Sequence, residues 1–108
     1  MELSKPAEMP FTPDSVIQML EWAISPDNSP YSHKQIVEWC ERFWCQYLDV
    51  QASKEINKIL PILMDVELQW DLFLTNSYTL EELRSQSFEH VYLPITWFKE
   101  WLKQVKTQ

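Results

Sequence analysis

Residues 32–50 read SHKQIVEWCERFWCQYLDV, and this stretch predicts the fold class. Apolar side chains recur along it every three to four positions, which is the period of an amphipathic α-helix. The residues on the inward face are Ile36, Cys40, Phe43 and Tyr47, widened by Val37, Trp44 and Leu48. Ser32 and Gln35 form a capping box, so we expect a helix from residue 33 to about residue 50.

A similar helix is predicted before this stretch. Thr12 has the side chain of an N-cap, and Pro13 suits the first helical position because its missing N–H would have no partner there. The apolar stripe that follows continues to about Ser25, where Pro26 ends it. The sequence therefore predicts a first helix over about 13–25.

Two more helices are predicted towards the C-terminus. Thr79 and Glu82 form a second capping box, which predicts a short helix from Leu80 to about Ser87. Pro94 can open a last helix, whose lysines near the C-terminal end suit the negative end of its dipole.

The stretch between Ser53 and Leu74 is compatible with two structures. In the first, Ser53 caps a third helix that begins at Lys54 and continues to about Leu74. Its apolar side chains share one face, and Pro61 would kink or divide it. Residues 63–74 also alternate between apolar and polar side chains, which is the period of a strand, and residues 88–93 could pair with them. If this stretch is a helix, the chain is an all-α, irregular bundle of four to five helices, which is the fold that we predict. The alternative is a small α+β fold with a short two-stranded sheet.

The chain length of 108 residues suits one domain. Residues 1–12 contain two prolines and no apolar period, and we interpret them as a flexible N-terminal arm outside the core unless Phe11 docks it. Residues 13–108 are predicted to form a single helical domain.

Composition and charge exclude several classes of function. Glycine is absent, so phosphate loops, dinucleotide fingerprints, EF-hands and nucleophile elbows in their usual forms are excluded. The net charge is −7, with five acids and one base in residues 1–30 and six acids and one base in residues 61–93. Such a field repels phosphate backbones and anionic lipids, so nucleic acid is an unlikely partner. No apolar run reaches the roughly 18 residues of a membrane span, which predicts no membrane segment.

The cysteines and histidines do not predict a catalytic, metal or cofactor site. Cys40 and Cys45 are five residues apart, which fits neither a redox pair nor a zinc site, and free thiols favour a cytoplasmic location. Cys40 lies on the apolar face of its helix and Cys45 on the wet face. His33 and His90 lack ligand spacing and are interpreted as surface or turn histidines.

The six tryptophans and the paired carboxylates are the best candidates for a binding surface. Trp44 and Trp70 point into the predicted core. Four others fall at the edges of their apolar stripes, where large aromatics are typical of interfaces: Trp22, Trp39, Trp97 and Trp101. Glu67 and Asp71, four residues apart, share one face of a helix.

These features predict a non-enzymatic, acidic protein-binding domain, such as an adaptor, an inhibitor or an immunity-type protein. It would engage a more basic protein partner through its carboxylates and edge tryptophans. One alternative is a small-ligand-binding or accessory enzyme subunit with an aromatic-lined pocket between helices. Another is a structural homo-oligomer that buries the same aromatics between protomers.

Overall fold

A computed structural model describes residues 6–107 of the chain. The helices are α1 (Pro13–Ile24), α2 (His33–Gln46), α3 (Lys54–Ser77), α4 (Leu80–Ser85) and α5 (Ile95–Lys106), with a 3-10 turn at Pro26–Asn28. The described residues contain no strand. The predicted all-α bundle is therefore confirmed, and the two-stranded alternative is wrong.

The helices begin where the capping residues predict. The side chains of Thr12, Ser53 and Thr79 each accept a hydrogen bond from the backbone N–H three residues later. Ser32 does the same with Gln35, which bonds back to the Ser32 backbone and completes the capping box. These caps satisfy N–H groups that have no partner inside the helix, so local sequence is sufficient to place them.

The predicted ends of two helices are less accurate. The helix that opens at His33 ends at Gln46 rather than near residue 50, and Leu48 beyond it is 63% exposed instead of facing the core. α3 extends to Ser77, three residues past the predicted end. Pro61 lies inside α3 and does not divide it. Apolar residues on both sides of the proline are buried, and this packing offsets the roughly 3 kcal/mol that an interior proline costs a helix.

The core forms where two helix pairs meet. α1 packs mainly against α5, and α2 packs mainly against α3. The largest side chains that this arrangement removes from solvent are Trp39, Phe43, Phe98, Met19, Leu20, Ile36 and Leu63. Among residues 6–107, no helix covers the side of α3 that carries Met64, Leu68 and Leu72, which are exposed.

The segment before α1 packs onto α2. The indole N–H of Trp39 donates a 2.9 Å hydrogen bond to the backbone oxygen of Met9, and Arg42 donates one of 2.9 Å to the backbone oxygen of Ala7. Ala7 is 1% exposed, and the ring of Phe11 lies with its centroid 5.7 Å from that of Trp39.

The interpretation of residues 1–12 as an arm outside the core is therefore wrong for residues 7–11, since Phe11 does dock the segment. The physical reason is that the buried indole N–H of Trp39 needs an acceptor, which the backbone oxygen of Met9 provides, and Arg42 adds a second hydrogen bond to the same segment. Residues 1–5 lie outside the described residues.

Candidate functional site

Two of the four tryptophans predicted for a binding surface are buried. Trp39 is 0% exposed and Trp101 is 4% exposed. The indole N–H of Trp101 donates a 2.8 Å hydrogen bond to Oδ2 of Asp65 in α3. The prediction of surface tryptophans is wrong at these two positions, because the N-terminal segment covers one of them and α3 covers the other.

Trp22 and Trp97 are half-buried. The ring of Trp22 meets Tyr31 edge to face at 5.7 Å between centroids. Trp97 makes similar edge contacts with Phe73 at 6.2 Å and with Trp101 at 6.4 Å. Both rings therefore have partners within the chain and still present part of their surface to solvent.

The predicted carboxylates lie together on α3, towards α2. Oε2 of Glu67 accepts a 2.7 Å hydrogen bond from the indole N–H of Trp44. Trp44 was predicted to be a core residue, but it is half-buried at the edge of the α2–α3 contact. Asp71 is exposed one helical turn beyond Glu67. The structure thus joins one predicted site residue, Glu67, to a tryptophan that the helical pattern places inside.

A cleft of about 460 Å³ lies beside this contact. We call it the acidic groove; it is lined by Trp44, Pro61, Met64, Asp65, Glu67, Leu68 and Asp71. Three of these side chains are carboxylates, and none of the described lining residues is a Lys or Arg. The groove therefore combines apolar side chains with negative charge.

An exposed apolar ridge runs along α3 at the groove. Met64, Leu68 and Leu72 are 47%, 53% and 45% exposed, respectively. They are four residues apart, so they share one helix face at intervals of about 6 Å along the axis. Met64, Leu68 and Leu72 belong only to the alternating pattern of the strand alternative, and the predicted helical face of this stretch does not include them. Their spacing of four, outside the buried face of α3, was the signal that could have revealed the ridge.

The acidic side chains of α2 and α3 influence one another electrostatically. The pKa of Glu41 on α2 is raised by partial desolvation and then by the charges of Glu67, Asp71 and Glu38. Slight desolvation, followed by the charges of Glu41 and Glu67, also raises the pKa of the Cys45 thiol. A cation at this surface would relieve the repulsion.

His33 is buried, contrary to its interpretation as a surface or turn histidine. It is 1% exposed, and burial lowers its pKa. Its Nδ1 accepts a hydrogen bond from the backbone N–H of Leu93, and its Nε2 lies 2.8 Å from the backbone oxygen of Ala23. Both ring nitrogens are occupied by backbone groups, so this histidine joins elements of the fold. Its sequence spacing carried no signal of this position.

The cysteines lie as the helical pattern predicts, with Cys40 buried and Cys45 exposed, both as free thiols. Among residues 6–107, no three His, Cys, Asp or Glu side chains come together as a metal site requires. Within the same range, no helix has both the length and the apolar character needed to cross a membrane.

No match to this chain is found among protein families, curated proteins or solved structures. The fold itself defines the class as an all-α helical bundle.

Proposed function

We propose that this chain is a non-enzymatic protein-binding domain, of the adaptor, inhibitor or immunity type, whose acidic groove holds a more basic protein partner. The observation that carries the proposal is the apolar ridge of Met64, Leu68 and Leu72, exposed beside the carboxylates of Asp65, Glu67 and Asp71. The groove replaces Trp39 and Trp101 as the contact surface.

Burial of the ridge supplies the driving force for binding. Apolar surface removed from water stabilises a complex by roughly 25 cal/mol per Å². The centre of a protein interface is typically apolar and its rim polar, and the groove has the same arrangement. The indole of Trp44, half-buried and held by Glu67, adds a rigid aromatic contact of the kind found at interface hot spots.

Charge selects the class of partner. All the charged side chains among the described lining residues of the groove are negative, and the whole chain has a net charge of −7. Lysines and arginines on a partner would speed association and exclude acidic competitors. A straight ridge with a spacing of four also suits a helical segment that places its own apolar side chains between those of α3. The favoured partner is thus a protein with an exposed, basic, amphipathic helix.

A defined peptide pair tests this chemistry. One synthetic helix carries leucines at helical spacing and lysines on its flanks, and its control has glutamates in place of the lysines. Binding is followed through the indole N–H signal of Trp44 in ¹⁵N-labelled protein, assigned with Trp44→Phe. We expect a saturable shift with the lysine peptide and none with the glutamate peptide. Equal responses to both peptides, or to neither, would contradict the proposal.

Capture from native lysate then tests the groove against another apolar surface. Leu68→Ser should reduce recovery of basic proteins, and so should an increase from about 0.05 M to about 0.5 M salt. Leu80→Ser is the matched control, because Leu80 is 65% exposed on α4, away from the groove. Basic partners retained equally by both variants would count against the groove.

A second copy of the chain is the other candidate partner. Lys99, Lys103 and Lys106 border a shallow cleft on α5 that Ile24 and Leu102 also line. This basic, partly apolar face complements the acidic groove, and a contact between them would join protomers head to tail. A solution mass that rises with concentration, and does not rise in Leu68→Ser, would favour the oligomer. A monomeric mass at high concentration would exclude it.

A further inference from the structure

A second cleft, of about 330 Å³, lies between α3 and α5. Its lining includes Asp65, Gln69, Trp97, Glu100, Trp101 and Gln104. It therefore combines aromatic rings, two carboxylates and two amides, and no Lys or Arg is among its described lining residues.

Asp65 is held in one orientation inside this cleft. Its Oδ2 accepts the hydrogen bond from the indole N–H of Trp101, and its Oδ1 accepts one of 3.3 Å from the amide of Gln69. Each carboxylate oxygen has a second lone pair, so Asp65 can still accept hydrogen bonds from a ligand. A carboxylate oriented in advance loses little freedom when a cation binds.

Trp97 provides the aromatic wall. Its indole is half-buried and meets Phe73 and Trp101 edge to face, which restrains the ring. An aromatic face attracts cations through its quadrupole, and carboxylates attract them through charge and hydrogen bonds. The same carboxylates would repel an anion and would lose hydration against a purely apolar ligand.

We infer that the α3–α5 cleft binds one organic cation, an ammonium or guanidinium group, between Trp97 and the carboxylates of Asp65 and Glu100. Asp65 also lines the acidic groove, so the two clefts share this residue. The cation belongs either to a lysine or arginine of the protein partner or to a small molecule. Only the first of these sources depends on the proposed function.

The pocket is tested on the full-length chain without any partner. N-acetyl-arginine amide, N-acetyl-lysine amide and tetramethylammonium are titrated against ¹⁵N-labelled protein, with sodium chloride at equal ionic strength as the reference. We expect saturable shifts of the indole signals of Trp97 and Trp101, assigned with Trp97→Phe, and dissociation constants on the order of 1–10 mM. Shifts no larger than those from sodium chloride would overturn the inference.

Variants locate the site. Glu100→Gln keeps the size of the side chain and removes its charge, so it should weaken cation binding at least about twofold. Glu81→Gln, on exposed α4, is the control and should leave the titration unchanged. If Glu100→Gln binds the probes as tightly as the unmodified chain does, the cation lies elsewhere and the inference fails.

The source of the cation is decided by adding the capture experiment. A partner whose recovery falls with both Leu68→Ser and Glu100→Gln provides the cation from its own side chain. A partner lost with Leu68→Ser alone, while the probes still bind, assigns the pocket to a free organic cation. If the probes bind and Leu68→Ser changes no capture, the pocket stands and the proposed function fails.

Discussion

The backbone N–H of Leu93 donates a 2.9 Å hydrogen bond to Nδ1 of His33, sixty positions earlier in the chain. Because Nδ1 accepts, the proton of the neutral ring is on Nε2, which donates to the backbone oxygen of Ala23 at 2.8 Å. His33 therefore connects the end of α1, the start of α2 and the segment before α5. A protonated ring could not accept from Leu93, so the fold requires the neutral form.

This arrangement predicts that acid destabilises the protein before its carboxylates titrate. Burial lowers the pKa of His33 below the 6.5 of an unfolded histidine, so the unfolded chain binds the proton first. The stability that the neutral His33 ring contributes should be fully present above pH 6.5. As the pH decreases from 6.5, the free energy of unfolding should decrease by at most about 1.4 kcal/mol per pH unit, until the pH is lower than the lowered pKa. Urea unfolding between about pH 7.5 and about pH 5.5 measures the slope.

His33→Gln is the control for the dependence of stability on pH, because it removes the buried ring but leaves the exposed His90. The variant should be less stable at neutral pH and should have a flatter dependence on pH. The raised pKa of Glu41 acts in the opposite direction, because the folded chain then holds its proton more tightly. A stability that does not change between pH 7.5 and 5.5 would disprove the role of His33.

The loss of stability on replacing a tryptophan should depend on how deeply the ring is buried and not on its position on a helical wheel. Trp39→Ala should lower the free energy of unfolding by about 3–5 kcal/mol, because it empties a core site and removes the donor to Met9. Trp22→Ala should cost less, about 1–2 kcal/mol, since that ring is only half-buried. Denaturant unfolding of both variants gives the comparison, and the reverse order would refute the burial assignment.

The segment before α1 should contribute to stability. Phe11 contacts Trp39 and also Phe43, whose ring centroid is 5.1 Å away. Phe11→Ala should therefore lower the free energy of unfolding by about 1–3 kcal/mol, less than a fully buried phenylalanine would cost. A flexible arm outside the core would give a change close to zero. Chemical denaturation distinguishes the two results.

The two thiols should differ in reactivity. Burial raises the pKa of Cys40 to about 12, so it should resist iodoacetamide until the protein unfolds. Cys45 is exposed and should react alone in the native state, slowly at neutral pH because its pKa is raised. Mass spectrometry should find one adduct in buffer and two in denaturant. Labelling of Cys40 in the native state would contradict its burial.

The reactivity of the Cys45 thiol depends on the acidic side chains near it. The charges of Glu41 and Glu67 contribute to the raised pKa of Cys45, so Glu41→Gln should lower that pKa and speed alkylation at fixed pH. Glu81→Gln on α4 provides the control at an unrelated site. An unchanged rate in Glu41→Gln would mean that the charge of Glu41 does not reach the thiol.

Pro61 should reduce the stability of α3. An interior proline removes one backbone hydrogen bond and crowds the preceding turn, and Pro61 is exposed, so alanine can replace it without a core cavity. Pro61→Ala should raise the free energy of unfolding by about 1–3 kcal/mol, which the urea midpoint measures. A loss of stability would show that the proline ring is required by packing at the groove. The peptide titration on the same variant shows whether the ring also contributes to binding.

Much of the fold follows from interactions between residues close in sequence. The caps at Thr12, Ser32, Ser53 and Thr79 act within three residues, and the apolar period acts within one or two helical turns. These short-range terms are sufficient to predict an all-α bundle and the starts of four helices. They also identify Glu67 and Asp71 as neighbours on one face.

What the sequence alone could not determine is which helix faces are covered. Trp39 is buried because residues 7–11 pack across α2, and Trp101 because Asp65 of α3 supplies its acceptor. The ridge from Met64 to Leu72 stays exposed because the described residues place no helix over it. Local sequence determines where helices begin, through hydrogen bonds a few residues long. Burial depends on contacts between distant segments, which only the packing of the whole chain decides.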